Sequence, residues 1–446
     1  MQPDPMEKIN KKIASNHFIR LLSDSSYLSF SLSVFLSQIA ANTLTIVLIF
    51  LIFHITSSNF SVSILLFSIL IPQIFISFLG GIMADIYNKK TIIIAGNVLR
   101  ALALLIIFFN YKNTLVIYST AFLISSITQF YVPAESSLIP TLVKREMLVA
   151  ANSIFGVSFF GSILIGYVFA GPAITIFGRA NVFLLLAGIF IIAALCAIFI
   201  QTKKIKNFAE KIMSPSYVKK SISQEFKESF LLLKKNGKVK DAFFLLIFSQ
   251  IIIFILATLI PGYAKNILQI PAEDVSVILF APAAIGMVIA AFLLGSILNK
   301  YPKRRLMSIG IFISGAVLML FPATSKLVAR ELIEIINSFL PMLFAVNIFN
   351  LVFILALFAG LANALIFVPS QAIIQETIPH NFTSKIYGLL FSLIGIFSIP
   401  PIMIAGGVAD AVGVGAVLLW IGLSIIVIGL LREKILQPLV SIFFIK

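Results

Sequence analysis

Charge is scarce in this chain. Only 11% of its 446 residues are charged, where soluble domains carry about 25%, so an ordinary soluble domain is excluded. A single cysteine, Cys196, rules out a disulfide within one chain. The three histidines, His17, His54 and His380, fall in the N-terminal segment or at predicted helix ends, so no metal cluster is expected. No Walker-type phosphate loop occurs, which argues against ATP hydrolysis by this chain. No nucleophile–base pair falls within the apolar runs, so the chain is not expected to be an enzyme, and no cofactor is implied.

Long apolar runs are abundant instead. Hydrophobic residues make up 60% of the sequence and the mean hydropathy is +1.10. Runs such as 91–109 and 242–260 approach the ~20 apolar residues that span a bilayer. Spans are predicted at 29–54, 61–82, 91–110, 115–132, 150–176, 181–201, 241–264, 275–298, 306–323, 342–368, 385–409 and 414–431. None shows the alternation of a membrane barrel strand. The expectation is an all-α membrane protein with twelve transmembrane helices.

The formal net charge of +16 follows the same pattern. With the N-terminus inside, only Arg100, Lys112, Arg179, Lys265, Lys326 and Arg330 lie away from the cytoplasmic side. That bias orients both termini to the cytoplasm and makes the basic balance a topology signal, with no nucleic-acid partner. Residues 1–28 form a polar cytoplasmic segment without a cleavage site.

The lysine-rich stretch 202–240 separates two six-helix bundles, 29–201 and 241–432, and a tail follows at 433–446. Phe226, Phe230 and Leu233 in that linker suggest either an amphipathic helix on the membrane or a solvated one. The bundles repeat one another. Ser37-Gln38-Ile39 recurs as Ser249-Gln250-Ile251, Gly81-x3-Asp85-x3-Lys89-Lys90 as Gly295-x3-Asn299-x3-Lys303-Arg304, and Val132-Pro133 as Val368-Pro369. The offset lengthens between these matches, which places an insertion near 325–340, read as an outer amphipathic helix or a longer loop.

Twelve helices, a six-plus-six duplication, a basic central loop and the stretch GGIMADIYNKK resemble the major facilitator superfamily. That family's loop motif runs Gly-x-Leu-[Ala/Ser]-Asp-[Arg/Lys]-x-Gly-Arg-[Arg/Lys]. Gly81, Ala84, Asp85 and Lys90 match it and Lys89 keeps the charge, while Met83, Ile86 and Asn88 depart from it. Tyr131-Val132-Pro133-Ala134, Pro140, Ala151-Asn152 and Gly171-Pro172 are similar to the siderophore and macrolide exporter branch. Ser37, Asn42 and Leu44 are similar to lysophospholipid transporters, although Ala40-Ala41 replaces that branch's Gly-Asp. The resemblance implies alternating access, with Gly81, Asp85, Lys89 and Lys90 as a conformational latch; the alternative is a tight turn bearing topology charges. Asp85 is further expected to sit at a helix N-terminus.

Arg100 is the one charge well inside a predicted span, about ten residues or roughly 15 Å into its helix. Asp85 or Glu135 is its expected ion-pair partner, with substrate binding and snorkelling to a membrane surface as the alternatives. No acidic residue falls mid-span, so Glu135 and Asp410, near predicted helix ends, are the coupling candidates. An uncharged polar pathway is expected from Gln38, Asn42, Thr45, Ser125, Gln129, Gln250, Asn347, Asn350 and Asn363, offering no clamp for a phosphate or carboxylate. These features imply a monomeric secondary transporter in a bacterial inner or plasma membrane. It would export an amphipathic small molecule of drug or siderophore type, with a coupling ion where one is used. A lysophospholipid flippase and a non-transporting receptor on the same fold are the alternatives.

Overall fold

A computed structural model describes residues 17–201, 236–325, 348–378 and 380–443. The amphipathic linker segment, nearly all of the insertion expected at 325–340, and Asn347 lie outside the described residues. Where there is no water to satisfy backbone groups, a helix is the local solution. No strand occurs among the described residues. The helices are α1 (His17–Ser23), α2 (Ser25–Thr56), α3 (Asn59–Phe75), α4 (Ser77–Ile86), α5 (Lys89–Asn110), α6 (Thr114–Leu142) and α7 (Leu148–Ile198). After the linker come α8 (Gly237–Tyr263), α9 (Ala281–Ser296), α10 (Lys303–Leu320), α11 (Ile348–Thr377), α12 (His380–Val412) and α13 (Val414–Phe443).

Ten described segments are long and apolar enough to cross a membrane, and α3 is a shorter apolar helix continued by α4. One of the ten, α7, is two helices joined at Gly178. Together they account for twelve spans. Gly178 has φ +81°, a left-handed conformation that a side chain would strain, and this turns the chain between the fifth and sixth spans.

The fourth span differs from its predicted bounds. It was expected to stop at 132, before Pro133, yet α6 continues to Leu142 with Pro133 and Pro140 inside it. Pro133 has no N–H for the carbonyl of Gln129. The backbone of Gly80 packs against that carbonyl so tightly that a Cβ there would lie 1.8 Å from the oxygen. Nearby hydroxyls bond other carbonyls of the turn, Ser137 Oγ to Pro133 at 2.6 Å and Ser136 Oγ to Val132 at 3.1 Å. Proline therefore sits within the span, and Glu135 moves from a predicted helix end into the helix body.

Two compact units divide the chain, Met1–Leu48 with Ser68–Gln224 and Ile49–Phe67 with Glu225–Lys446. In the first, α5 packs on α6 and α7, around a core that includes Tyr27, Phe30, Ile93 and Tyr131. In the second, α11 packs on α8, α9 and α10, and its core includes Phe243, Leu246, Ile374 and Leu389. Within the second unit Arg432 of α13 grips Asp241 of α8 with two nitrogens, at 2.9 and 2.7 Å, and Ser308 of α10 at 2.8 Å.

Candidate functional site

The first unit buries a polar cluster at the meeting of four helices. α2 contributes Ser37 and Gln38, adjacent in sequence. Asn97 and Arg100 stand three residues apart on α5, and Tyr131 and Glu135 four apart on α6, so each pair shares a helix face. Phe190 arrives from α7. Gly96 makes the space, since a Cβ there would stand 3.1 Å from Tyr131 Cδ2.

Arg100 is 2% exposed and Glu135 1%, so both charges have left water, an expensive step unless they are compensated. The guanidinium stacks over Tyr131, 4.1 Å from the ring centroid, and lies 5.6 Å from that of Phe190. Its Nη1 donates to Ser37 Oγ at 3.1 Å, and that hydroxyl donates to Asn97 Oδ1 at 2.8 Å. Gln38 Nε2 donates to Glu135 Oε2 at 3.3 Å. Arg100 and Glu135 attract one another across the cluster, but no N–O contact of 4.0 Å or less joins them. Between Arg100 and Glu135 the expected ion pair is thus an attraction at longer range, while the side chain of Asp85, the other expected partner, lies outside the described residues. Tyr131 faces Ser37 and Asn97 without closing a hydrogen bond to either. Arg100 Nε and Nη2, Asn97 Nδ2 and Glu135 Oε1 are likewise buried and unbonded.

This charged core belongs to one repeat. The offset that maps Val132-Pro133 onto Val368-Pro369 sets Gln371 opposite Glu135. Gln371 Oε1 accepts from the Tyr387 hydroxyl. Ser249, the counterpart of Ser37, accepts from Asn363 Nδ2 at 2.8 Å.

The Major Facilitator Superfamily pattern matches residues 30–336, more than half of the chain. The chain belongs to that superfamily. Among curated relatives, an uncharacterized MFS-type transporter of Bacillus subtilis (strain 168), YfiS, is 24% identical over 387 residues, 85% of each chain. Among solved structures, the nucleoside transporter NupG in its D323A form superposes with a TM-score of 0.69 at 14% identity. That match covers 92% of this chain and 99% of NupG. The POT family transporter PepTSo gives 0.63 at 12%, covering 92% and 98%. At such identities the likeness establishes the major facilitator fold and nothing finer.

The remaining predicted residues are not part of the cluster. Asn42 Nδ2 donates to Gln38 O at 2.7 Å, Thr45 Oγ1 to Ala41 O at 3.0 Å, and Gln129 Nε2 to Ser125 O at 3.3 Å, so these three satisfy their own helices. Ser125 Oγ donates instead to Ile69 O at 2.6 Å. Gln250 is half-buried on α8, and Asn350 is exposed on α11. At the loop motif, Gly81 has open space around it and the Asp85 side chain lies outside the described residues. Asp85 itself falls in the last turn of α4. The helix N-terminus expected for it is capped by Asn88, whose side chain accepts from Lys90 N. Lys89 is buried, and Lys90 Nζ donates to Ile198 O at 2.7 Å.

Asp410 is wholly engaged with the start of α3, in its own unit. Oδ1 accepts from Asn59 N at 2.7 Å and Asn59 Nδ2 at 2.8 Å, while Oδ2 accepts from Phe60 N at 3.1 Å and from Ser58 Oγ. It meets donors that every helix start leaves free. Asn97 and Tyr131 escaped selection from sequence. Their spacing to Arg100 and Glu135 was the available signal.

Proposed function

We propose that this major facilitator protein is a secondary active transporter that exports an amphipathic small molecule by alternating access, with Glu135 carrying the coupling proton. The observation that supports the assignment is the placement of Glu135. It is a carboxylate buried inside a membrane span, next to a buried arginine yet outside ion-pair distance, with one oxygen unbonded. Ionisable groups kept at such depth mark transport pathways. Asp410, the other candidate, is occupied by four donors and suits a fixed contact better than proton exchange.

Gln38 bonds Glu135 directly, and the polar side chains of α2, α6, α8 and α11 serve as pathway groups. Gly81, Asp85, Lys89 and Lys90 form the latch released in each cycle. Export is favoured by the resemblance to the exporter branch.

Proteoliposomes holding the purified chain, assayed with a panel of amphipathic drugs and siderophores with and without a proton gradient, provide the test. Movement should respond to the gradient and lose that response in Glu135→Gln. Movement of lysophospholipid indifferent to the gradient, with no drug or siderophore moved, would overturn the proposal in favour of a flippase.

A further inference from the structure

The Arg100 guanidinium presents five N–H donors. Nη1 is bonded to Ser37, whereas Nε and Nη2 are buried and unbonded. Those two nitrogens are one edge of the guanidinium, with N–H vectors that match the two oxygens of a carboxylate. Asn97 Nδ2, from the same face of α5, and the Tyr131 hydroxyl are buried and unbonded as well. Buried polar groups in proteins are nearly always satisfied, so four donor groups at one place are a specific feature. Glu135 Oε1 is a buried, unbonded carboxylate oxygen of the cluster, and that carboxylate stands beyond 4.0 Å from the guanidinium. Ring faces of Tyr131 and Phe190 hold the guanidinium plane, so its free edge is oriented before any ligand arrives.

We infer that Arg100, Asn97 and Tyr131 form a carboxylate-binding subsite, and that the transported molecule is an amphipathic organic acid. The uncharged pathway residues offered no such clamp; the buried cluster supplies a candidate one. It rests on the transporter reading with Glu135 as proton carrier and adds the substrate class and the sense of coupling. The titratable groups bearing on Arg100 are Tyr131 and Glu135, while Ser37 and Gln38 of α2 and Phe190 of α7 bring no charge. With Glu135 ionised, the two buried charges sum to zero. A ligand carboxylate adds one negative charge, which proton uptake by Glu135 cancels. Acid and proton therefore load together, and an acid accumulated in the cell leaves with its proton.

The test uses the full-length protein in lipid nanodiscs, titrated with 4-phenylbutyrate, its neutral twin 4-phenylbutanamide and its cationic twin 4-phenylbutylamine. Thermal unfolding is the readout. The acid is expected to raise the unfolding temperature saturably and the twins to leave it unchanged. Arg100→Lys keeps the charge but loses the fork, and should weaken acid binding by about tenfold or more. Tyr131→Phe should weaken it by a few-fold. Titrations in chloride-free and chloride-containing buffers that hold no carboxylate separate a free inorganic anion from an organic acid. Protection by chloride alone, with none from the acid, overturns the inference, as does equal binding of acid and amide. If Arg100→Lys aggregates, the acid–amide difference and Tyr131→Phe still decide. Glu135→Gln should retain acid binding while losing the proton response. Proton-driven movement of a neutral amphiphile by a wild type that binds no acid would sink the subsite and leave the Glu135 assignment standing.

Discussion

The guanidinium of Arg100 lies 4.1 Å over the ring of Tyr131, one helix away, and both side chains are buried. The ring supplies a negative face to a cation that has no carboxylate within 4.0 Å among the described residues. Tyr131→Phe keeps that face and should leave thermal stability nearly unchanged. Tyr131→Ala should destabilise by about 3–5 kcal/mol, because it removes a packed ring and leaves the cation exposed to a cavity. Thermal unfolding of the purified protein checks the difference, and equal losses in both variants would deny the ring its supporting role.

Adjacent glycines in the loop motif make a second test. Ala at Gly80 would drive a Cβ into the Gln129 carbonyl, whereas Ala at Gly81 meets nothing within 4 Å. Gly80→Ala should force α4 away from α6 and sharply reduce the yield of monodisperse protein. Gly81→Ala should behave as wild type on size exclusion.

At the start of α3, Asp410→Ala removes an acceptor for two backbone N–H groups. A lost helix cap costs about 0.5–2 kcal/mol, and Asp410→Asn should lose less. The same substitution in Glu135 should abolish proton response, so comparing Asp410→Asn with Glu135→Gln in proteoliposomes separates a structural acid from a coupling one.

Arg432 and Asp241 are a partly buried bidentate pair, their side chains 5% and 17% exposed. Arg432→Met strands the carboxylate and should destabilise by about 3–5 kcal/mol. The double variant Arg432→Met with Asp241→Leu should recover much of that loss. Additive losses in a double-mutant cycle of unfolding would refute the coupling.

For the loop motif, Asp85→Asn should slow transport, and Asn299→Ala, in the second repeat, should matter less. Initial rates in proteoliposomes at matched protein density decide, and two unchanged rates would reduce the motif to a turn.

Much of the architecture was legible in the residues. The hydrophobic runs, the distribution of lysine and arginine, and the displaced repeats of Ser37-Gln38 and Val132-Pro133 carried the twelve spans and the duplication, because bilayer thickness converts apolar length directly into a helix. The site was legible only in part. Arg100 and Glu135 stood out as charges in apolar sequence, but Pro133 misled on where the helix of Glu135 ends. Proline ends a helix in water, whereas inside a membrane bundle a close glycine backbone and nearby hydroxyls can accommodate it. The cap at the loop motif is Asn88 and not Asp85, a position at which the family pattern carries glycine.

What the sequence determined by itself was a helical, membrane-spanning, twice-repeated chain, since burial of apolar length and backbone hydrogen bonding act locally along the polymer. What only the tertiary structure decided was which polar groups meet. Ser37, Asn97, Arg100, Tyr131 and Glu135 come from three separate helices, and their contacts depend on helix rotation and on the space left by Gly96. Asp410, equally acidic and equally close to a predicted helix end, was drawn instead to the start of α3. Two carboxylates that look alike in sequence are given different partners by the packing around them.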